Sequence, residues 1–367
     1  MKRYLVWLGT RPEAIKMCPL ILCLQRQNEV GVRVVLSGQH RDMVRPVLEF
    51  FGVQADADLG VMQKGQSVQA LTERLLVSMA AEMKASGFAP DACLVHGDTT
   101  TAMIGALCSF YAGLPVCHVE AGLRTGDVYA PFPEEFNRRA IDAMSYLHFA
   151  PTAHAARQLA AEGACEQRVF TVGNTATDAL RLCLEAECSH PLLDAVASRR
   201  LVLLTCHRRE LGEGKRLALF AAIREQIERR EDVVLLFPVH PSPSVRAAAE
   251  RAFLGCRNAI LTEPLDLPVL QHLLSRAALL LTDSGGLQEE ATYLGIPTLV
   301  LREQTERPEG VEAGVLCMAG THPERVGMLL ATLLDDGAQL HRMRQASDVY
   351  GNGRTSESIV RLLERWT

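Results

Sequence analysis

The chain has 367 residues, of which 48% are hydrophobic and 22% charged, with a net charge of −5. That length suggests two domains, and the composition is that of a globular protein able to bury large cores. A mildly acidic sum without a strongly basic block argues against a nucleic-acid surface, while leaving room for a local basic pocket that takes a phosphorylated small molecule.

The first apolar run, YLVWLG at 4–9, leads into a charged loop and reads as a strand. It is not expected to be a signal peptide, because no long apolar region or small-residue cleavage site follows. Further strand-length runs come at 32–37, 92–96, 115–119, 147–150 and 168–172. Amphipathic helical stretches separate them near 13–27, 41–51, 67–86, 100–112, 133–144 and 153–162. A polar, helix-like stretch at 174–198 intervenes. A second series of strands then begins at 201–205, 233–238, 259–262, 278–282, 297–301 and 315–318, with helices near 213–229, 242–254, 267–275 and 285–294. Helical segments near 322–336, 338–348 and 353–366 close the chain.

This alternation predicts an α/β fold: two doubly wound, Rossmann-like domains with parallel sheets covered on both faces. The boundaries expected are 1–173 for the first domain, 174–198 for a hinge region and 199–350 for the second domain. Residues 351–367 form a C-terminal helix expected to pack across to the first domain. No stretch reaches the ~18 apolar residues that a membrane span needs. The eleven cysteines include no C-x-x-C pair, and Cys93, Cys108, Cys117 and Cys317 lie in apolar surroundings as small core residues. A reducing cytoplasm is the expected location.

In open parallel sheets, ligands bind beyond the carboxyl ends of the strands. The polar motifs GTRPEAIK, HGDTTT, HVEAGLRT, HRRE, VHPSPS and DSGG all follow predicted strands. Their common placement points to a cleft between the two domains.

The turn DSGGLQEE opens a helix directly after an apolar strand. Its glycines let a diphosphate approach the backbone, and the helix N-terminus offers unpaired N–H donors to anionic oxygens. Ser284 adds a hydroxyl beside Gly285 and Gly286, and Glu290 can accept from ribose hydroxyls. The plain alternative is a helix cap eased by two glycines. It is neither a Walker loop nor G-x-G-x-x-G, which disfavours an NTPase or a dinucleotide enzyme. In GTRPEAIKM, Arg11 suits a phosphate, and Lys16 is a second contact or a solvated helix lysine.

The stretch from 118 to 138 concentrates proton-bearing groups: His118, Glu120, Glu134 and Glu135, with Arg124 and Arg138 as ion-pair partners holding the loop. Glu120, just past a strand end, sits where desolvation brings a carboxylate toward proton transfer. One of Glu134 and Glu135 simply enriches the first turn of a helix with acid. Asp98 is a helix cap or a carboxylate at the cleft, and His207 an acid, base or phosphate donor. A zinc site lacks H-E-x-x-H or a cysteine ligand set, and a serine hydrolase lacks G-x-S-x-G.

Taken in order, GTRPEAIKM, GQHRDM, HGDTTT, HVEAGLRTGD, PFPEEFNRR, HRRE, DSGGLQEEA and TERPE closely resemble the non-hydrolysing UDP-N-acetylglucosamine 2-epimerase family, colinearly from near residue 9 to near residue 320. The resemblance implies a glycosyltransferase-B-like pair of domains with the nucleotide sugar between them. It implies reversible conversion of UDP-GlcNAc to UDP-ManNAc by elimination of UDP to 2-acetamidoglucal and re-addition, with no nicotinamide and no metal. Carried over by position, Asp98, Glu120, Glu134 and His207 are its catalytic candidates. Arg11, Lys16, Ser284, Gly285, Gly286, Glu290 and Arg307 match its UDP contacts.

Many bacterial members take a second UDP-GlcNAc as activator. Gln39, His40, Gln66, Arg209, Glu210 and His240 match or lie near positions of that site. The loop after Glu210, LGEG, is shorter than the family's, and Cys206 stands where many relatives have glycine. A homodimer is a further implication. The alternatives are an epimerase of a UDP-2,3-diacetamido uronic acid, a hydrolysing epimerase that releases ManNAc, a glycosyltransferase of the same architecture, and a catalytically dead nucleotide-sugar sensor.

Overall fold

A strand covered by helices on both faces is apolar at successive positions rather than at alternate ones. The computed structural model, which describes residues 1–63, 65–206 and 212–366, has such strands throughout. The chain divides into two compact units: Met1–Ala179 together with the chain from Gly351 onward, and Leu180–Tyr350.

The first unit holds β1 (Lys2–Leu8), β2 (Val30–Leu36), β3 (Ala57–Asp58), β4 (Ala92–His96), β5 (Val116–Val119), β6 (Leu147–Ala150) and β7 (Val169–Thr171). They pair in parallel in the order β3-β2-β1-β4-β5-β6-β7. The connecting helices are α1 (Arg11–Gln25), α2 (Arg41–Phe51), α3 (Val68–Ala85), α4 (Thr100–Tyr111), α5 (Glu134–Met144) and α6 (Ala153–Ala161).

α7 (Thr175–Glu185) runs from the first unit into the second and is followed by the short α8 (Pro191–Ala195). Both helices lie within the helix-like stretch 174–198 expected as the hinge region. His190 starts the second: its side chain accepts from Leu192 N, and Pro191 fits the first helical turn, where no N–H is needed.

The second unit holds β8 (Arg200–Thr205), β9 (Val233–Pro238), β10 (Ala259–Thr262), β11 (Leu279–Thr282), β12 (Thr298–Val300) and β13 (Leu316–Met318). These strands are also parallel, in the order β10-β9-β8-β11-β12-β13. Its helices are α9 (Glu213–Glu228), α10 (Pro243–Phe253), α11 (Leu267–Arg276), α12 (Gly285–Leu294), α13 (Pro308–Glu312), α14 (Pro323–Asp335) and α15 (Gly337–Met343). α16 (Thr355–Trp366) belongs to the first unit and packs on α1.

Side-chain alternation sends each strand into two cores. On one face of the second sheet, Val202, Leu204, Leu235, Phe237, Leu279 and Leu281 meet Phe220 and Phe253. On the other, Leu201, Leu203, Val234, Leu236 and Leu280 meet Leu273 and Leu274. The Phe220 and Phe237 rings are 5.2 Å apart, edge to face, a favoured aromatic geometry. Cys93, Cys108 and Cys117 are buried, and Cys317 is half-buried. Among the described residues no helix is long and apolar enough to cross a membrane.

Each sheet reverses its order of connection once, between β1 and β4 and between β8 and β11. In doubly wound sheets the loops leaving the carboxyl ends at that point border the ligand site.

Candidate active site

In the first unit the loops after β1 and β4 are bound together by one buried acid. Glu13, in the first turn of α1, accepts at Oε2 from Gly9 N at 3.2 Å, Thr10 N at 2.6 Å and Thr10 Oγ1 at 2.7 Å. Its Oε1 accepts from Thr99 Oγ1 at 2.8 Å. Burial pushes this carboxyl up from its ordinary 4.5 to about 7, against the pull of the Thr10, Thr99 and Gly9 hydrogen bonds. Gly9 is needed for this approach, since a Cβ there would meet Thr101 Oγ1 at 2.3 Å. Arg11 opens α1 and is half-exposed.

Glu120 follows β5 with φ +68°, a left-handed conformation that costs a non-glycine residue on the order of 1 kcal/mol or more. The surroundings hold it there: Glu120 N and Ala121 N both donate to Phe149 O at 3.1 Å. The turn brings the side chain onto α1 and the segment ahead of α7. Lys16 Nζ pairs with Glu120 Oε2, and Asn174 Nδ2 donates to the same oxygen at 2.6 Å. His96, the last residue of β4, has Nε2 at 3.7 Å from that oxygen, too far for a hydrogen bond. Burial depresses its imidazole to about 3, with Glu120 opposing and Lys16 reinforcing, so the ring is neutral at ordinary pH. A carboxylate held by a cation and an amide donor is aimed and charge-compensated in a largely dry setting.

Asp98 pairs with the Arg138 guanidinium, with Arg138 Nε at 3.2 Å from Oδ2, and its carbonyl accepts from Asn137 Nδ2 at 2.9 Å. The two acids that open α5 have different fates. Glu135 is fully buried and accepts from Thr125 N at 3.1 Å, Arg138 Nη1 at 3.2 Å and Arg139 Nε at 3.0 Å. Glu134 is half-buried and makes no hydrogen bond or ion pair among the described residues.

Arg124 secures the intervening loop. Its Nη2 reaches Asp142 Oδ2 at 2.7 Å and Glu162 Oε2 at 2.6 Å. Burial raises the Asp142 carboxyl, but His118 and Arg124 outweigh it and hold the group below its usual range. His118 is structural: its ring nitrogens meet Asp142 Oδ1 at 2.6 Å and Gly97 O at 2.7 Å.

In the second unit, Ser284 precedes α12, and its side chain makes no cap hydrogen bond among the described residues. Gly285 and Gly286 are helical, so neither is needed for a left-handed turn. Gly285 makes room for a cation: a Cβ there would lie 2.8 Å from Arg307 Cζ. At Gly286 a Cβ would meet nothing within 4 Å. A guanidinium at the positive end of a helix is unfavourable alone. Here Arg307 donates from Nε to Glu289 Oε1 at 2.9 Å and from Nη1 to Glu306 Oε2 at 2.8 Å. Glu290 is buried one position further on, and its charge adds to the burial that pushes the Cys183 thiol up to about 12. An uncapped helix start with a guanidinium against it suits an anion.

The remaining candidates fall in both units. Gln39, after β2, accepts from Thr101 Oγ1 at 2.8 Å. His40 starts α2, and burial lowers its imidazole. Gln66 accepts from Arg74 Nη1 at 2.7 Å. His240, after β9, is exposed and accepts from Ser242 N at 3.2 Å. His207, Arg209 and Glu210 lie outside the described residues. Sequence reasoning passes over His96, Asn174 and Glu289, and reads Glu13 only as an acid suited to the positive end of its helix. Asn174 carried a signal, because an asparagine between a strand and a helix is a capping residue at the ligand edge.

The UDP-N-acetylglucosamine 2-epimerase family profile matches residues 23–364. The chain is 46% identical over 353 residues to the UDP-N-acetylglucosamine 2-epimerase of Bacillus subtilis (strain 168), spanning 96% of this chain and 92% of that protein. The crystal structure of UDP-GlcNAc 2-epimerase from Neisseria meningitidis bound to UDP-GlcNAc matches with a TM-score of 0.90 and 37% identity over 100% of both chains. A spinosyn rhamnosyltransferase complexed with thymidine diphosphate matches with a TM-score of 0.60 at 20% identity, over 99% of this chain and 100% of that one. That last likeness bears on the fold alone, which is glycosyltransferase-B-like. On the extent of these matches, the chain belongs to the UDP-N-acetylglucosamine 2-epimerase family.

Proposed function

We propose that the chain is an isomerase that interconverts UDP-GlcNAc and UDP-ManNAc at carbon 2. The proton on carbon 2 is weakly acidic, because the neighbouring substituent is an acetamido nitrogen and not a carbonyl. Its removal is therefore coupled to departure of UDP from carbon 1. A carboxylate takes the carbon 2 proton, the C1–O bond breaks with its electron pair going to UDP, and the C1=C2 double bond of 2-acetamidoglucal forms. Re-addition reverses these changes with the proton delivered to the opposite face, so two groups must serve one carbon.

The observation that carries this reading is the contrast between Glu120, clamped by Lys16 and Asn174, and Glu134, unpaired among the described residues. We assign proton transfer to these two. Asp98, steadied by Arg138, orients or relays, and His207 assists the leaving phosphate. Arg11, Lys16, Ser284, Gly285, Gly286, Glu290 and Arg307 receive the nucleotide. Arg307 offsets charge on the departing diphosphate, the kind of preorganised stabilisation that supplies much of enzymatic rate enhancement. The family likeness also supports a homodimer and a second, activating UDP-GlcNAc near Gln39, His40, Gln66, Arg209, Glu210 and His240. The cytoplasm, where nucleotide sugars are at hand, is the proposed location.

The test is incubation with UDP-GlcNAc in heavy water, followed by NMR. Intact UDP-ManNAc with deuterium at carbon 2, formed without an acceptor, is the expected product. Free ManNAc would indicate a hydrolase, and no exchange without an acceptor would indicate a transferase or a catalytically dead sensor. Repeating the run with excess substrate shows activation as upward curvature of the initial rate.

A further inference from the structure

Among the described residues, Glu120 is faced by Lys16 from α1, by His96 from β4 and by the neutral amide of Asn174. The amide cannot turn over freely. Asn174 Oδ1 accepts from Ala176 N at 3.0 Å, in the first turn of α7, so its NH2 must face Glu120 Oε2, 2.6 Å away. A flip would set NH2 against N–H and oxygen against carboxylate.

The backbone beneath is equally fixed. Asn174 O accepts from Thr177 Oγ1 at 2.8 Å, and a Cβ on the preceding Gly173 would lie 2.7 Å from Gly351 Cα. Asp178, one turn along, accepts from Thr355 N at 3.0 Å and Ser356 N at 2.7 Å, which docks the returning chain on the same segment. Lys16, by contrast, brings a point charge on a flexible stem and sets no direction.

We propose that Asn174 is a positioning residue that, by holding Oε2, fixes the Glu120 carboxylate in line for proton transfer at the sugar, an inference that rests on the epimerase reading above. Capping and positioning use different ends of one side chain, so a single substitution separates them. Asn174→Asp keeps the acceptor for Ala176 N, and aspartate is a good cap, but it replaces the donor facing Glu120 by an acceptor.

Turnover of Asn174→Asp in the full-length chain should fall by about 100-fold near pH 8, within the range general acid–base groups supply. KM should stay within about twofold, because the nucleotide contacts are untouched. As pH falls, the new carboxyl takes up a proton shared with Glu120 and regains a donor, so part of the lost rate should return toward about pH 6. Asn174→Ala loses the rate without that recovery.

A kcat within about twofold of the unsubstituted enzyme across the pH range would overturn the inference. So would a loss in Asn174→Asp tracking a lowered melting temperature, since that is the mark of a cap alone. If the unsubstituted protein places no deuterium at carbon 2, the epimerase reading fails and the inference falls with it. Exchange in that protein but no pH signature in the variant removes the inference alone.

Discussion

The two units reverse their strand order in the same way and start a helix beside the reversal, yet they use that helix start differently. At α1 the chain closes its own end: Glu13 takes the N–H groups of Gly9 and Thr10 and the hydroxyl of Thr99. At α12 the Ser284 side chain makes no cap among the described residues, and the Arg307 guanidinium lies against Gly285. Topology offers an anion site at both places, and among the described residues the two ends differ in whether a side chain caps them. The α1 end spends its donors on holding the loops that carry Asp98 and, through Lys16, Glu120. Under the proposed reading, the first unit moves protons and lends Arg11 and Lys16 to the nucleotide, while the second offers its diphosphate the start of α12 and Arg307.

Glu120→Gln is the hardest test of that division and should have the largest effect. It keeps size and polarity and removes the proton acceptor. Turnover should fall by about 1,000-fold, while the Kd for UDP, measured by calorimetry, stays within about twofold. Weakened UDP binding instead would erase the distinction between the units. Glu134→Gln belongs to the same class. Glu135→Gln does not, because that carboxylate serves Thr125, Arg138 and Arg139. It should lower stability by about 2 kcal/mol, typical of damage to a buried charge network, with little loss of turnover per folded molecule.

Gly285→Ala sharpens the other side of the comparison, with a smaller effect. The added methyl would stand 2.8 Å from Arg307 Cζ and must push the guanidinium away. UDP affinity should drop about tenfold, and kcat should fall as well, since the displaced guanidinium no longer offsets charge on the departing diphosphate. In an Arg307→Ala background the same glycine change should cost almost nothing further, as two sites in contact are not additive. Equal losses in both backgrounds would mean that Gly285 serves the ligand directly.

Much of this architecture can be read in the sequence, because strands buried on both faces are unbroken apolar runs. The expected strands at 233–238 and 259–262 match β9 and β10, and helix 285–294 matches α12. The two-residue β3 and the five-residue α13 have too few side chains to show a period. The side-chain network is where the sequence runs out. Glu134 and Glu135 are equivalent as first-turn acids, and only the burial of one separates them. Lys16 reads equally as a phosphate contact or a solvated lysine until Glu120 adopts a positive φ and meets it. Asn174 falls in a stretch that reads as hinge, and its amide has meaning only once β5 and β7 run parallel in one sheet and end on the same side.

The closed end of the comparison can itself be titrated, with the smallest expected effect. Glu13 has its carboxyl raised from 4.5 to about 7, chiefly by burial. Between those values the folded chain binds a proton that the unfolded chain has released, so stability declines as pH rises through the window and levels off above it. The loss is on the order of 1–3 kcal/mol, several degrees in the melting of the first unit. Glu13→Gln cannot ionise and keeps an oxygen for the backbone N–H groups, so its melting temperature should be nearly flat from about pH 5 to pH 8 where that of the unsubstituted chain falls. Since the residue touches the loops and not the sugar, turnover should change by less than about threefold. Parallel pH slopes in the two proteins would show that the α1 end is held by a carboxylate that stays ionised, and that its hydrogen bonds from Gly9, Thr10 and Thr99 outweigh its burial.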